Sequence, residues 1–158
     1  MFPHWRDAIW MIAKGMRNNL ALFHLDQTVA DVYLELLAAK SHWFDEIETP
    51  RLLHGDLWPK NVLIDRSNAR PQIVGLLDAE RGFWGDPMAE WVFLFYEIPD
   101  LFWKEYGRST ITPGATFRKL AYRGMYTIQS LLEATRFGWE EPPITHKLIE
   151  ITREMLNY

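Results

Sequence analysis

The sequence predicts a mainly α fold with a small central β-hairpin, and three observations carry that expectation. Apolar residues recur at three- and four-residue spacing near the N-terminus (Trp5, Ile9, Ile12, Met16, Leu20, Phe23). A second set (Phe117, Leu120, Tyr122, Met125, Ile128, Leu132) does the same later, and both match the period of an amphipathic helix. Between them lie two short β-prone runs, Asn61-Val-Leu-Ile-Asp65 and Gln72-Ile-Val-Gly-Leu-Leu77, separated by the turn-forming Arg66-Ser-Asn-Ala-Arg-Pro71. With 158 residues, no internal repeat and no Pro- or Gly/Ser-rich linker, a single domain over 1–158 is expected.

The elements follow in order. The first helix covers the N-terminal stripe, with weak points at Gly15 and Asn18–Asn19. From Thr28 to about Ile47, the pattern Val29, Val32, Tyr33, Leu36 and Leu37 predicts a second helix, opened by Thr28 with Asp31 as a capping acid. Thr49–Pro50 stops it, and the hairpin comes next. Asp86-Pro87 then restarts a helix over Met88 to Glu97, since Asp accepts from free N–H groups at an N-cap and Pro fits the first helical position. A loop containing Pro99, Gly107, Pro113 and Gly114 leads to a longer helix ending near Phe137, and a last helix begins after Pro142–Pro143.

Composition narrows the function. Apolar residues make up 48% and aromatics 15%, with 8 Trp, which excludes a disordered or low-complexity chain. Lys and Arg number 17 against 21 Asp and Glu, a net charge of −4, so the basic excess of a nucleic-acid binder is missing. With no Cys, disulfide frameworks, thiolate zinc sites and Cys nucleophiles are excluded together, which fits a reducing compartment and gives a cytoplasmic expectation. The longest apolar run, Trp91 to Tyr96, is far short of the ~20 residues that span a bilayer, so no membrane partner is expected. Arg6, Asp7 and Lys14 interrupt what would be the apolar part of a secretory signal.

The chemistry concentrates in His54-Gly-Asp-Leu-Trp-Pro-Lys-Asn61, followed one hairpin later by Leu76-Leu-Asp78-Ala-Glu80. Phosphoryl transfer needs a carboxylate to orient and deprotonate the attacking hydroxyl, and oxygen ligands for the magnesium that bridges the phosphates. Asp56, Asn61 and Asp78 supply those groups. The five-residue offset from Asp56 to Asn61 equals that of the kinase catalytic loop, and Asp78 falls where the metal-binding Asp of D-F-G would stand.

The ordered set His54-Gly55-Asp56, Asn61, Asp78-Ala79-Glu80 and Gly85-Asp86-Pro87 resembles the C-terminal catalytic lobe of the aminoglycoside phosphotransferase and choline kinase-like superfamily, which has a protein-kinase-like fold. The resemblance spans about 51–97. It implies Asp56 as the catalytic base and Asn61 and Asp78 as the Mg2+ ligands, with ATP as phosphoryl donor. It further implies that His54 and Gly55 shape the loop, that Glu80 completes the metal motif, and that Asp86 caps its helix and braces the loop. Lys60 is assigned either to the γ-phosphate or to solvent as a loop lysine. Where the family often has Asp-Leu-Ala, this chain has Glu90-Trp91-Val92.

In the resembling family ATP lies between two lobes. This chain offers no strand-rich segment before the catalytic loop and no G-x-G-x-x-G, so the N-lobe is expected to be largely absent, and weak or no nucleotide binding is expected of the chain alone. The helices over about 98–158 would form the acceptor side, with Asp100, Glu105, Glu133, Glu140 and Glu141 as candidates for cationic amino sugars or amines and Trp103 and Trp139 as candidates for stacking. Two readings follow. One is a phosphotransferase lobe acting on a small-molecule hydroxyl, completed by a missing N-lobe or partner chain. The other is a non-catalytic, pseudokinase-like binding module.

Overall fold

The computed structural model describes residues 4–67, 69–108, 110–139 and 144–158. The elements run α1 (Trp5–Leu22), α2 (Thr28–Ala39), β1 (Arg51–Leu53), β2 (Val62–Asp65), β3 (Gln72–Leu76), β4 (Phe83–Gly85), α3 (Val92–Phe95), α4 (Asp100–Tyr106), α5 (Pro113–Phe137) and α6 (Ile144–Met155). Short 3-10 turns occupy Ser41–Glu46, Pro59–Asn61, Ala79–Arg81 and Pro87–Ala89. Two compact units result, Met1–Glu48 with Thr110–Tyr158, and Thr49–Ser109. The mainly α architecture with a central hairpin is the one the sequence predicts. No helix among the described residues is long and apolar enough to cross a membrane.

The first unit is a packing of α1, α2, α5 and α6. The N-terminal stripe forms as expected: Ile9, Ala13 and Leu20 are buried, while Phe23 falls just past the helix end and is exposed. The second helix stops at Ala39, earlier than its apolar pattern suggests, and the chain tightens into the 3-10 turn that buries Phe44. The cap also differs from expectation. Asp26 accepts from the Thr28 backbone N–H and hydroxyl, which leaves Asp31 free to take a two-pronged bond from Arg17, Nε at 2.6 Å and Nη2 at 3.0 Å.

α5 is the spine of this unit. Thr112 accepts from the Ala115 N–H, Pro113 takes the first position, and Gly138 ends the helix in the left-handed conformation. Gly124 lets the Tyr33 ring lie against the helix backbone, since a Cβ there would stand 2.5 Å from that ring. Tyr33 is fully buried and donates its hydroxyl to the Ala121 carbonyl at 2.5 Å. The buried Arg118 reaches Glu46 at 2.5 Å and the Trp43 carbonyl at 2.8 Å. α6 buries Leu148, Ile151 and Met155, a spacing of three and four. The Pro142–Pro143 signal expected to start it lies outside the described residues.

The second unit holds two antiparallel two-stranded sheets. β2 pairs with β3 as expected (Val62↔Leu76, Ile64↔Ile73), with an irregularity between Leu63 and Ile64. β1 pairs with β4 (Leu52↔Trp84), which the short runs at 51–53 and 83–85 did not announce. Their pairing joins residues 30 to 34 positions apart, a non-local contact that period-2 patterning over three residues cannot signal. The stretch after Asp86 is not one helix. A 3-10 turn gives way to extended backbone at Glu90, and only Val92–Phe95 is α-helical. Conversely, part of the expected loop is helix α4, introduced by Pro99 and ended by Gly107 at φ +89°. Phe102, Trp103 and Tyr106 of α4 pack their rings on Phe93.

Candidate active site

The candidate site lies wholly within the second unit. β1 delivers the chain into the loop His54–Trp58, and β2 and β3 carry it out and back to Asp78. Gly55 takes φ +78°, and any Cβ there would collide with the Arg81 carbonyl, so the sharp turn before Asp56 requires glycine.

Glu90 holds this loop. It is 4% exposed, and its Oε2 accepts from the backbone N–H of His54 at 2.8 Å and of Gly55 at 3.1 Å. Oε1 accepts from the Leu57 N–H at 3.2 Å. One buried carboxylate therefore satisfies three backbone donors that a non-repetitive loop would otherwise strand, and charge-assisted bonds of this kind are the stronger ones. Nothing in the sequence alone assigns Glu90 this role. Its signal was position, since it replaces the acid of the family's Asp-Leu-Ala with one a methylene longer.

Asn61, 5% exposed, connects the two halves of the motif. Its Nδ2 donates to the Asp56 carbonyl at 2.9 Å and to Asp56 Oδ2 at 3.3 Å. Its own carbonyl accepts from the Leu77 N–H at 2.9 Å, so the residue before Asp78 is tied to Asn61. Asn61 is thus bonded directly to Asp56 and, through the backbone of the β2–β3 hairpin, to the residue that precedes Asp78. Asp78 is exposed and takes the left-handed conformation, φ 58°, which Asp tolerates better than most residues.

The remaining predicted residues are placed as follows. Asp86, 3% exposed, accepts from the Met88 N–H and so caps its 3-10 turn. The backbone N–H groups of His54, Gly55 and Leu57 bond to Glu90. Glu80 is exposed. Both ring nitrogens of His54 are buried and make no hydrogen bond with the described residues. Lys60 lies with its ammonium 4.8 Å from the centre of the Trp58 ring. Arg81, absent from the sequence-derived set, brings Nη1 to 4.0 Å from Asp56 Oδ1. Burial raises the Tyr106 phenol above its ordinary range, with the Glu90 charge adding to the shift.

Two of the acidic candidates are engaged elsewhere, and Glu105 is exposed. Asp100 pairs with Arg108, Glu133 accepts from Gln129 at 2.9 Å, and Glu140 and Glu141 lie outside the described residues. Trp103 packs against Phe93, and Trp139 stacks on Phe137 at 5.0 Å. Among the described residues no group of three or more His, Cys, Asp or Glu forms a ready-made metal cage. An amide and a carboxylate still suit Mg2+, a hard cation that keeps several waters and is commonly held by one or two protein oxygens together with substrate phosphates.

Comparison with known proteins places the chain in a family and matches its fold. Residues 6–121 match the phosphotransferase enzyme family. Among solved structures, an apo form of a thermostable mutant of aminoglycoside phosphotransferase APH(4)-Ia superposes with a TM-score of 0.54 at 21% identity. The match covers 98% of this chain and 54% of that one, so the chain spans about half the length of the solved enzyme. No curated protein matches the chain.

Proposed function

The chain belongs to the phosphotransferase enzyme family, and from that premise we propose that it supplies the catalytic floor for ATP- and Mg2+-dependent phosphoryl transfer to a small-molecule hydroxyl. The observation that carries this is the bridging position of Asn61, which joins Asp56 through its amide and the segment leading to Asp78 through its carbonyl.

In this reading Asp56 accepts a hydrogen bond from the acceptor hydroxyl and takes its proton as the oxygen attacks the γ-phosphorus. The bond from that phosphorus to the oxygen bridging to the β-phosphate breaks, and ADP leaves. The Asp56 carboxylate is oriented for this, with Oδ2 on the Asn61 amide and Oδ1 toward Arg81. Asp78 and the Asn61 side-chain oxygen would hold Mg2+, which when bound neutralises phosphate charge. Glu90 and Gly55 set the loop geometry on which the aim of Asp56 depends. The portion of the fold that this chain does not span would cover the nucleotide, supplied by further polypeptide or a partner chain. The direct contact of the Asn61 amide with Asp56 supports this reading over a pseudokinase-like module, in which nothing requires that amide to orient the carboxylate.

Two measurements test it. Mn2+, titrated into the 15N-labelled chain as a paramagnetic stand-in for Mg2+, is expected to broaden the amides around Asn61 and Asp78 selectively, and Asp78→Asn is expected to abolish the effect. Absence of selective broadening overturns the metal assignment. In an active assembly containing this lobe, Asp56→Asn is expected to lower kcat by about 10²–10⁴-fold. An unchanged rate rejects Asp56 as the base.

A further inference from the structure

The groups flanking Asp56 decide what kind of hydroxyl compound can approach it. Trp58 stands two residues after Asp56, and its ring meets that of Trp91 edge to face at 6.3 Å and 83°. Trp91 continues the aromatic surface to Phe95 at 5.8 Å and Tyr96 at 5.3 Å. This wall is fixed to the loop at both ends of one hydrogen bond: Leu57, which precedes Trp58, donates to Glu90, which precedes Trp91. Trp58 and Trp91 are only half-buried and Tyr96 is 46% exposed, so ring surface remains open on a wall that begins two residues after Asp56 in the chain.

The charges on this wall are of the wrong sign for a cation. Lys60 places its ammonium over the Trp58 ring, on the π-surface that a cationic acceptor would seek, and Arg81 stands 4.0 Å from Asp56. The nearest buried acids are committed, Asp86 to the Met88 N–H and Glu90 to three backbone donors. Asp100 pairs with Arg108 and Asp65 accepts from Ser67, and Asp78 and Glu80 belong to the metal motif. That leaves only the exposed Glu97 and Glu105 in this unit to recruit a cation. An uncharged sugar ring suits the wall better, since its C–H face can be buried on the ring surface that Lys60 leaves uncovered while its hydroxyls point toward the polar loop.

We propose that the acceptor is an uncharged pyranoside-type sugar seated on the Trp58–Trp91 wall with one hydroxyl toward Asp56, and that Lys60 discriminates against cationic acceptors. The catalytic meaning rests on the phosphotransferase reading, but binding is measurable without it.

The test follows the indole N–H signals of Trp58 and Trp91 in the 15N-labelled chain during titration with methyl glucoside, glucosamine and choline. Methyl glucoside is expected to shift both signals saturably and to bind about fivefold more tightly than either cation. Trp58→Ala is expected to weaken the glucoside by about five- to tenfold, whereas Trp58→Phe retains most of it and shows that the fold survives. Lys60→Gln is expected to bring glucosamine to about the affinity of the glucoside. Equal or tighter binding of glucosamine or choline to the unaltered chain, glucoside binding indifferent to Trp58→Ala, or no saturable shift with any probe overturns the proposal. Mn2+ broadening in the same sample separates the outcomes. Sugar binding lost with metal broadening intact sinks the acceptor assignment alone, and the reverse sinks the phosphotransferase reading.

Discussion

The carboxylate of Glu90 and the backbone N–H of Gly55 meet at 3.1 Å across 35 residues of chain. With the neighbouring bonds to His54 and Leu57, this contact fixes the loop that carries Asp56. Glu90→Ala leaves three donors without their charged acceptor and is expected to cost about 2–4 kcal/mol in urea unfolding. Hydrogen exchange at the amides of His54, Gly55 and Leu57 is expected to rise well above the global change. Unchanged protection at those three amides would show that water replaces the carboxylate at no penalty.

Three glycines form a graded series. Gly55→Ala combines a positive φ with a collision against the Arg81 carbonyl and is expected to lose on the order of 3 kcal/mol. Gly107→Ala has φ +89° but open space, and about 1 kcal/mol is expected. Gly15→Ala lies inside α1 with nothing near its Cβ, and a gain of about 0.5–1 kcal/mol is expected. Thermal unfolding of the three variants checks the order, and any other ranking contradicts the backbone account.

Tyr33 and Gly124 are complementary in shape. Gly124→Ala pushes a methyl group against the Tyr33 ring and is expected to cost about 2 kcal/mol. Tyr33→Phe removes the bond to the Ala121 carbonyl and is expected to cost about 1 kcal/mol. Combining Gly124→Ala with Tyr33→Leu should recover part of the first loss, and a double-mutant cycle with no coupling term would argue against direct contact.

The Arg17 guanidinium bonded to Asp31 holds that carboxyl below its ordinary range. A depressed folded-state pKa contributes stability that is present above the unfolded value of about 4 and fades as pH falls through the lower folded value. Arg17→Ala is therefore expected to lower stability at neutral pH and to converge with the unaltered chain in strong acid. Urea midpoints measured from pH 7 down to pH 2 check this, and a constant difference across the range would reject the ion pair as the cause. Because the pair is solvent-exposed, added salt should narrow the gap.

The sequence by itself determined the helical stripes of α1 and α5, the hairpin β2–β3, and the ordered motif from His54 to Pro87. Those features are local: periodicity, turn chemistry and fixed spacing are all written within short stretches of chain. The tertiary structure decided what depends on contacts between distant residues. The β1–β4 pairing, the break at Glu90 between the 3-10 turn and α3, and the shift of Asp31 from cap to ion pair belong to that class. So does the Asn61 bridge, because a side chain's partners follow from where the backbone brings them. Glu90 shows the difference most directly. As a letter it is an acid in front of an apolar run, and it becomes the support of the loop only when the fold buries it beneath three unpaired N–H groups, where a carboxylate is stable because they surround it.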